Sequence, residues 1–146
     1  MYYTSMNFIE QYNEFCMNYL KFMKKISRTL SLTQAQVICI KAIPYDGISQ
    51  NSLANKLLLD NSTLSRNLEK LKLVKLINKS ISRNDKRTAI ITLTQSGKKT
   101  YQKISDMLQK ELNTIIYKID IKDLDYITEI FNKINWELEL QNQKHE

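Results

Sequence analysis

The chain has 146 residues, 42% of them hydrophobic and 25% charged, with a net charge of +7. That is enough for one domain with its own core, at a composition ordinary for a soluble protein. Two glycines, one proline and no apolar run near the roughly 18 residues of a membrane span disfavour turn-rich all-β folds and membrane insertion. No basic stretch followed by an apolar one opens the chain, so no secretory signal is expected and the expected location is the cytoplasm.

The elements follow in order. Residues 6–30 read as a helix in which Phe8, Tyr12, Phe15, Tyr19, Phe22 and Ile26 recur at spacings of four and three. A second row, Ile9, Cys16, Met23 and Leu30, repeats every seven. Two apolar rows on one helix predict burial on more than one side, against its own domain and against another chain. A helix sunk in a single core would show the same periodicity.

Thr33 is placed to cap a helix from Gln34 to about Ile43, which Pro44 stops. Pro44-Tyr45-Asp46-Gly47 is a turn, and Ile48 can start a short strand. Ser49 then caps a short helix with Leu53, Ala54 and Leu57 inward. Asp60 or Asn61 caps the next, which buries Leu64, Leu68 and Leu71. Leu76–Ser82 and Arg87–Leu93 read as strands around a polar tip, Arg83-Asn84-Asp85-Lys86. Thr94 caps a long helix carrying Tyr101, Ile104, Leu108, Leu112, Ile115 and Ile119. After a break at Asp120 or Lys122, Leu124, Ile127, Phe131, Ile134 and Leu138 repeat at three and four, the rhythm of a helix seam. The expected fold is mostly α with a small β-wing: a winged helix-turn-helix plus a helical region, about six helices and two to three short strands.

Charge divides along the chain. Residues 49–99 hold eleven Lys or Arg against three acidic residues, a net +8, while residues 1–48 sum to +2 and residues 100–146 to −3. A basic middle between a near-neutral start and an acidic end points to a polyanion, of which the nucleic-acid backbone is the commonest. The chemistry of an enzyme is missing. His145 is the only histidine, and no glycine-rich phosphate loop, GxSxG elbow or acid–base set is present. No metal site or cofactor is expected. Cys16 and Cys39 are expected as half-buried thiols within helices, with a peroxide- or thiol-sensing switch as the sharper alternative.

The helix from about Ser62 to Lys72 turns Ser62, Thr63, Ser65, Arg66, Asn67 and Lys70 outward once its leucines face in. Small hydroxyls near a helix N-terminus can approach phosphates and base edges, Arg66 can pair with guanine O6 and N7, and Asn67 matches adenine. An ordinary solvated helix face would look the same. At the hairpin tip Arg83, Lys86 and Arg87 surround Asp85, which lies two residues from Arg87 and so on the same side of an extended backbone. A tip of this kind can enter a minor groove. As a bland alternative it protects a strand edge from pairing.

The run Asp85-x-Arg87-x5-Leu93-Thr94-x-x-Gly97 resembles the signature of the MarR family of bacterial transcriptional regulators. Leu32-Thr33-x-x-Gln36, Leu53-Ala54-x-x-Leu57 and the stretch Asp60-x-Ser62-Thr63-x-Ser65-Arg66 through Leu71 resemble that family's second, third and recognition helices, in order. The resemblance implies a single domain over 1–146, with a helical dimerisation region at 6–30 and 100–142 and a winged helix-turn-helix DNA-binding lobe at 31–99. It implies a homodimer on a palindromic double-stranded DNA site, with half-sites roughly 34–36 Å apart. The recognition residues would be Ser62, Thr63, Ser65, Arg66, Asn67 and Lys70. Arg83, Lys86 and Arg87 would serve the wing, with Asp85 positioning Arg87, and Ser49 and Gln50 would contact phosphate.

Many members of that family are repressors released by small aromatic acids, and some by cysteine oxidation. Cys16 lies where thiol-sensing relatives keep their reactive cysteine, although Gln34 and Gln36 stand where those relatives place tyrosines. The expected function is therefore a sequence-specific transcriptional regulator, a repressor relieved by a small-molecule or oxidative signal. A nonspecific architectural DNA-binding protein is the alternative. One departure concerns geometry: the family's glycine after the recognition helix is Lys75 here, so Lys75 must take the conformation that glycine supplies, left-handed at a small cost.

Overall fold

Helix α1 spans Tyr2–Thr29 and α2 Gln34–Ala42. Strand β1, Ile48–Ser49, leads into α3, Gln50–Leu57, and α4, Asn61–Leu73. Strands β2, Ile77–Ile81, and β3, Ala89–Leu93, precede α5, Gln95–Ile116, and α6, Ile121–Gln143. The computed structural model describes residues 2–81 and 87–143. The six helices and three short strands among the described residues are those expected of a winged helix, and the sheet is antiparallel in the order β1-β3-β2. Its central strand β3 pairs Ile91 with Ile48 on one side and with Lys79 on the other. The chain forms two compact units, Met1–Asp106 and Met107–Glu146.

Local chemistry sets most boundaries in the first unit. Thr33 caps α2 with a reciprocal pair: its hydroxyl accepts from the Gln36 N–H at 3.2 Å, and the Gln36 side chain accepts from the Thr33 N–H at 2.8 Å. Ile43, held extended before Pro44, ends that helix. The turn that follows needs Gly47, whose φ is +94° and whose added Cβ would lie 2.7 Å from the Thr92 side chain. Ser49 caps α3 and Asp60 caps α4.

Among the described residues, three turns end on left-handed residues that are not glycine: Ser31, Leu58 and Lys75. Each carries the double bond of a Schellman motif. After α4 the Lys75 N–H donates to Lys72 O and the Leu76 N–H to Leu71 O, both at 2.9 Å. Lys75, at φ +58°, thus adopts the expected left-handed form. That turn is pinned from the far side. The Thr94 hydroxyl donates to Lys75 O at 2.7 Å and accepts from the Gly97 N–H, while the Thr94 N–H donates to Leu76 O. A Cβ on Gly97 would sit 1.9 Å from Leu76 O, so only glycine lets α5 start this close to the turn.

The core of the first unit is fully buried and comes from all of its helices and from strands β2 and β3. Ile26 of α1, Val37 and Ile40 of α2, Leu53 of α3, Leu64, Leu68 and Leu71 of α4, Ile91 of β3 and Ile104 of α5 meet there. Cys39 joins them rather than lying half-buried, and burial pushes its thiol up to about 11. The N-terminal part of α1 is different: Phe8, Ile9, Tyr12, Phe15 and Tyr19 are all exposed.

In the second unit no described residue is buried. Leu112, Ile115, Phe131, Trp136 and Leu138 are exposed, and Leu124, Ile127 and Ile134 are half-buried.

Several boundaries move from expectation. Helix α1 starts at Tyr2 rather than residue 6 and ends at Thr29, because Leu30 and Ser31 form its closing turn. Strand β2 starts at Ile77, since Leu76 is spent on the Schellman turn, and Arg87 lies in a turn before β3. Helix α5 stops at Ile116 and Ile119 falls in a tighter turn, where the Lys118 and Ile119 N–H groups bond three residues back.

Candidate nucleic-acid interface

Helix α4 separates its two faces as its sequence requires. Its leucines are sealed in the core, while Ser62, Arg66 and Lys70 are exposed and Thr63, Ser65 and Asn67 half-buried. All six expected recognition residues therefore lie off the core. They are not equivalent in how their polar atoms are engaged.

At the N-terminus, Asp60 Oδ1 accepts from the Thr63 N–H at 2.8 Å and from the Ser62 hydroxyl at 2.5 Å. Those bonds, first Ser62 and then Thr63, hold the Asp60 carboxyl far below the usual carboxylate range. One turn on, the Gln50 side-chain amide donates to Ser65 Oγ at 2.8 Å, tying the start of α3 to the outward face of α4. Asn67 donates an amide proton to Thr63 O at 3.2 Å, so part of its capacity serves its own helix. Arg66 and Lys70 are exposed on the same face.

The second expected cluster is met in part. Ser49 accepts from the Ser52 N–H at 3.0 Å and donates to the Ser52 hydroxyl, so it is occupied as the cap of α3. Gln50 and Arg87 meet at one hollow of about 150 Å³, lined also by Asn51, Thr88 and Ala89. The structure thus gathers the α3 start and the base of the wing. Asn51 was missed in the sequence, where only its place two residues after the capping Ser49 marks it. Arg83, Asp85 and Lys86 lie outside the described residues.

Two further clusters escaped the sequence reading. Lys21, Lys24, Lys25 and Arg28, spaced three and four apart on α1, line a hollow of about 370 Å³ with Thr29. Lys41 sits 3.8 Å above the centre of the Tyr101 ring and donates to the Ser105 hydroxyl at 2.8 Å, while Tyr45 meets Tyr101 edge-on at 5.3 Å. This links α2 to α5, and periodicity alone cannot show it. Cys16 is half-buried, and by hydrogen bonding and charge it pushes the ionisation of the Tyr12 hydroxyl one turn away above its ordinary range. Among the described residues no group of His, Cys, Asp or Glu is arranged to hold a metal ion, and no helix is long and apolar enough to cross a membrane.

The model of a family described as transcriptional regulator SarA/Rot matches residues 21–104, more than half of the chain. Solved structures share the fold. The transcriptional regulator SlyA is 17% identical, with 92% of this chain and 97% of that one covered at a TM-score of 0.77. A complex of MepR from S. aureus with DNA is 22% identical over 86% and 96%, TM-score 0.70. Wild-type MarR from E. coli, in its apo form, is 20% identical over 78% and 85%, TM-score 0.68. The winged-helix type suggested by the wing motif is thus the type found.

Proposed function

The chain belongs to the SarA/Rot family of transcriptional regulators, and from that premise we propose that it binds double-stranded DNA as a homodimer. In this reading α4 enters the major groove, the α3 start and the wing base hold the flanking phosphates, and α1, α5 and α6 join two copies. The observation that carries it is the division of α4: three leucines closed into the core, with Ser62, Arg66 and Lys70 exposed on a stretch of net +8.

Within this reading Arg66 reads a base and Lys70 a phosphate, while Arg83, Lys86 and Arg87 act at the minor groove with Asp85 as orienter. Ser49 and Gln50 mark the phosphate path at α3. Two-fold symmetry makes the site palindromic, with half-sites roughly 34–36 Å apart. Regulation is by repression, released by a small aromatic ligand or by oxidation at Cys16. In support of the oxidative arm, Cys16 is half-buried beside the Tyr12 hydroxyl, whereas Cys39 is sealed in the core with its thiol pushed up to about 11.

Selection of bound sequences from random DNA, followed by competition between the selected site and unselected DNA, tests the proposal. Enrichment of a palindrome that outcompetes random duplex supports it. Equal binding to both would make the protein a nonspecific architectural binder. For the oxidative arm, peroxide should release wild type from the site and leave Cys16→Ser bound. Equal responses of the two would remove Cys16 from the signal.

A further inference from the structure

Two serines on the outward face of α4 differ in what their hydroxyls have left to offer. The Ser62 proton goes to Asp60 Oδ1 at 2.5 Å, and an ionised carboxylate can only accept. Ser62 therefore faces outward with lone pairs and no proton. At Ser65 the bond runs the other way: the Gln50 amide nitrogen donates to Ser65 Oγ at 2.8 Å, and the Ser65 proton has no acceptor among the described residues. Ser65 can still give a hydrogen bond. One helix face thus carries, one turn apart, an acceptor and a donor of the same residue type.

We propose that Asp60 is a positioning residue for base reading, which makes Ser62 an obligate acceptor aimed at an amino group in the major groove. The inference rests on the DNA-binding reading above and adds the chemistry of one read position. Phosphate oxygens, guanine O6 and N7 and thymine O4 only accept, so Ser62 in this state cannot bond to them. The groups it can bond are adenine N6 and cytosine N4. Ser65, with its proton available, suits the opposite set. The Ser62 and Thr63 bonds hold the Asp60 carboxyl well below the usual carboxylate range, so it stays ionised and accepting at neutral pH. The negative charge of Asp60 beside Ser62 also discourages phosphate at this point, in contrast to Arg66 and Lys70 on the same helix.

The test is selection from random duplex DNA with the full chain, using wild type, Ser62→Ala, Ser65→Ala and Asp60→Gly. Wild type should show a half-site position favouring adenine or cytosine on the contacted strand, and Ser62→Ala should flatten that position alone. Both bonds of Asp60 run to the same oxygen, Oδ1, so an asparagine could keep them, whereas Asp60→Gly removes the acceptor and costs the helix cap only about a few tenths of a kcal/mol. With no carboxylate to take it, the Ser62 proton is free to turn outward. The preference for amino-bearing over keto-bearing bases at that position should then fall about fivefold or invert. Positions flattened by Ser65→Ala should keep their preference. The charge removed from Asp60 raises affinity for all sequences alike and leaves this ratio untouched.

An unchanged ratio in Asp60→Gly would overturn the proposal. So would a Ser62→Ala variant that loses affinity equally for every sequence, the mark of a phosphate contact. A purely structural role for Asp60 predicts a lower Tm with every position weakened together, and that result also overturns it. Failure of wild type to enrich any DNA would instead bring down the DNA-binding reading itself.

Discussion

Helices α4 and α6 carry apolar residues at the same three-and-four rhythm, with opposite outcomes. Leu64, Leu68 and Leu71 of α4 are 0%, 1% and 0% exposed, whereas Phe131 and Leu138 of α6 are each 42% exposed. In the first unit the apolar stripe of α4 finds α2, α3 and β2 within the same unit. In the second unit no described residue is buried. The lesson concerns periodicity: it says that one side of a helix is to be covered and leaves open by what. The Leu64–Leu71 stripe is closed by its own chain, while the exposed rows of α1, α5 and α6 are what a partner copy would cover in the proposed dimer.

The sharpest way to break this comparison is to damage the closed side. Gly97→Ala places a Cβ where Leu76 O already stands, 1.9 Å away, so α5 must lift off the turn and lose the Thr94 bonds to Lys75 and Leu76. The expected loss is about 3 kcal/mol or more, read as a fall in the urea midpoint. Leu68→Ala opens a cavity in a fully buried site and should cost about 2–5 kcal/mol by the same measurement. If either variant unfolded at the wild-type midpoint, the unit would not be the self-sufficient one described.

Substitutions on the open side should act through concentration instead. Ile9 is 57% exposed and Leu112 50%. Ile9→Ser and Leu112→Ser should leave the far-UV circular dichroism of the assembled protein in place and weaken dimerisation about tenfold each, roughly 1.4 kcal/mol. Sedimentation across a dilution series measures this. A wild-type chain that remained monomeric at every concentration would leave these rows without the proposed partner.

What could be read from the sequence sorts by the distance over which the physics acts. The caps Thr33, Ser49 and Asp60 were legible because each closes a bond within three residues. The left-handed turn at Lys75 was legible through the resemblance, which puts a glycine at that position. The outward face of α4 followed from its leucines. The Gln50–Ser65 bond, fifteen residues apart, and the Lys41–Tyr101–Ser105 cluster, sixty-four residues apart at its hydroxyl bond, depend on how helices meet, which no spacing encodes. The sense of the Ser62 hydroxyl is local, yet a polar, outward position does not encode it, because the neighbouring carboxylate decides which of its hydrogen-bonding roles remains. The second basic row, Lys21, Lys24, Lys25 and Arg28, was visible as charge in the sequence, and its common helix face became plain only with the structure.

The smallest expected effect falls at the edge between fold and interface. Lys75 holds φ +58° at the end of α4, where a side chain costs more than glycine does, and its carbonyl is fixed by the Thr94 hydroxyl. Lys75→Gly should therefore stabilise the lobe by about 0.5–1 kcal/mol, less than the relief of strain alone because glycine also loses more freedom on folding. In the DNA-bound state the same substitution removes a cation just past the recognition helix. If Lys75 neutralises one phosphate, the plot of log affinity against log salt should become shallower by about 0.9, with base preferences unaltered. Leu58→Gly is the control, being the same left-handed cap at the end of α3 with a 70% exposed side chain and no charge. It should gain similar stability and keep the full salt slope. A Lys75→Gly variant that matched Leu58→Gly in both measurements would show that Lys75 serves the turn alone. A fall in slope without a gain in stability would show a lysine kept for phosphate in a turn that tolerates it without strain.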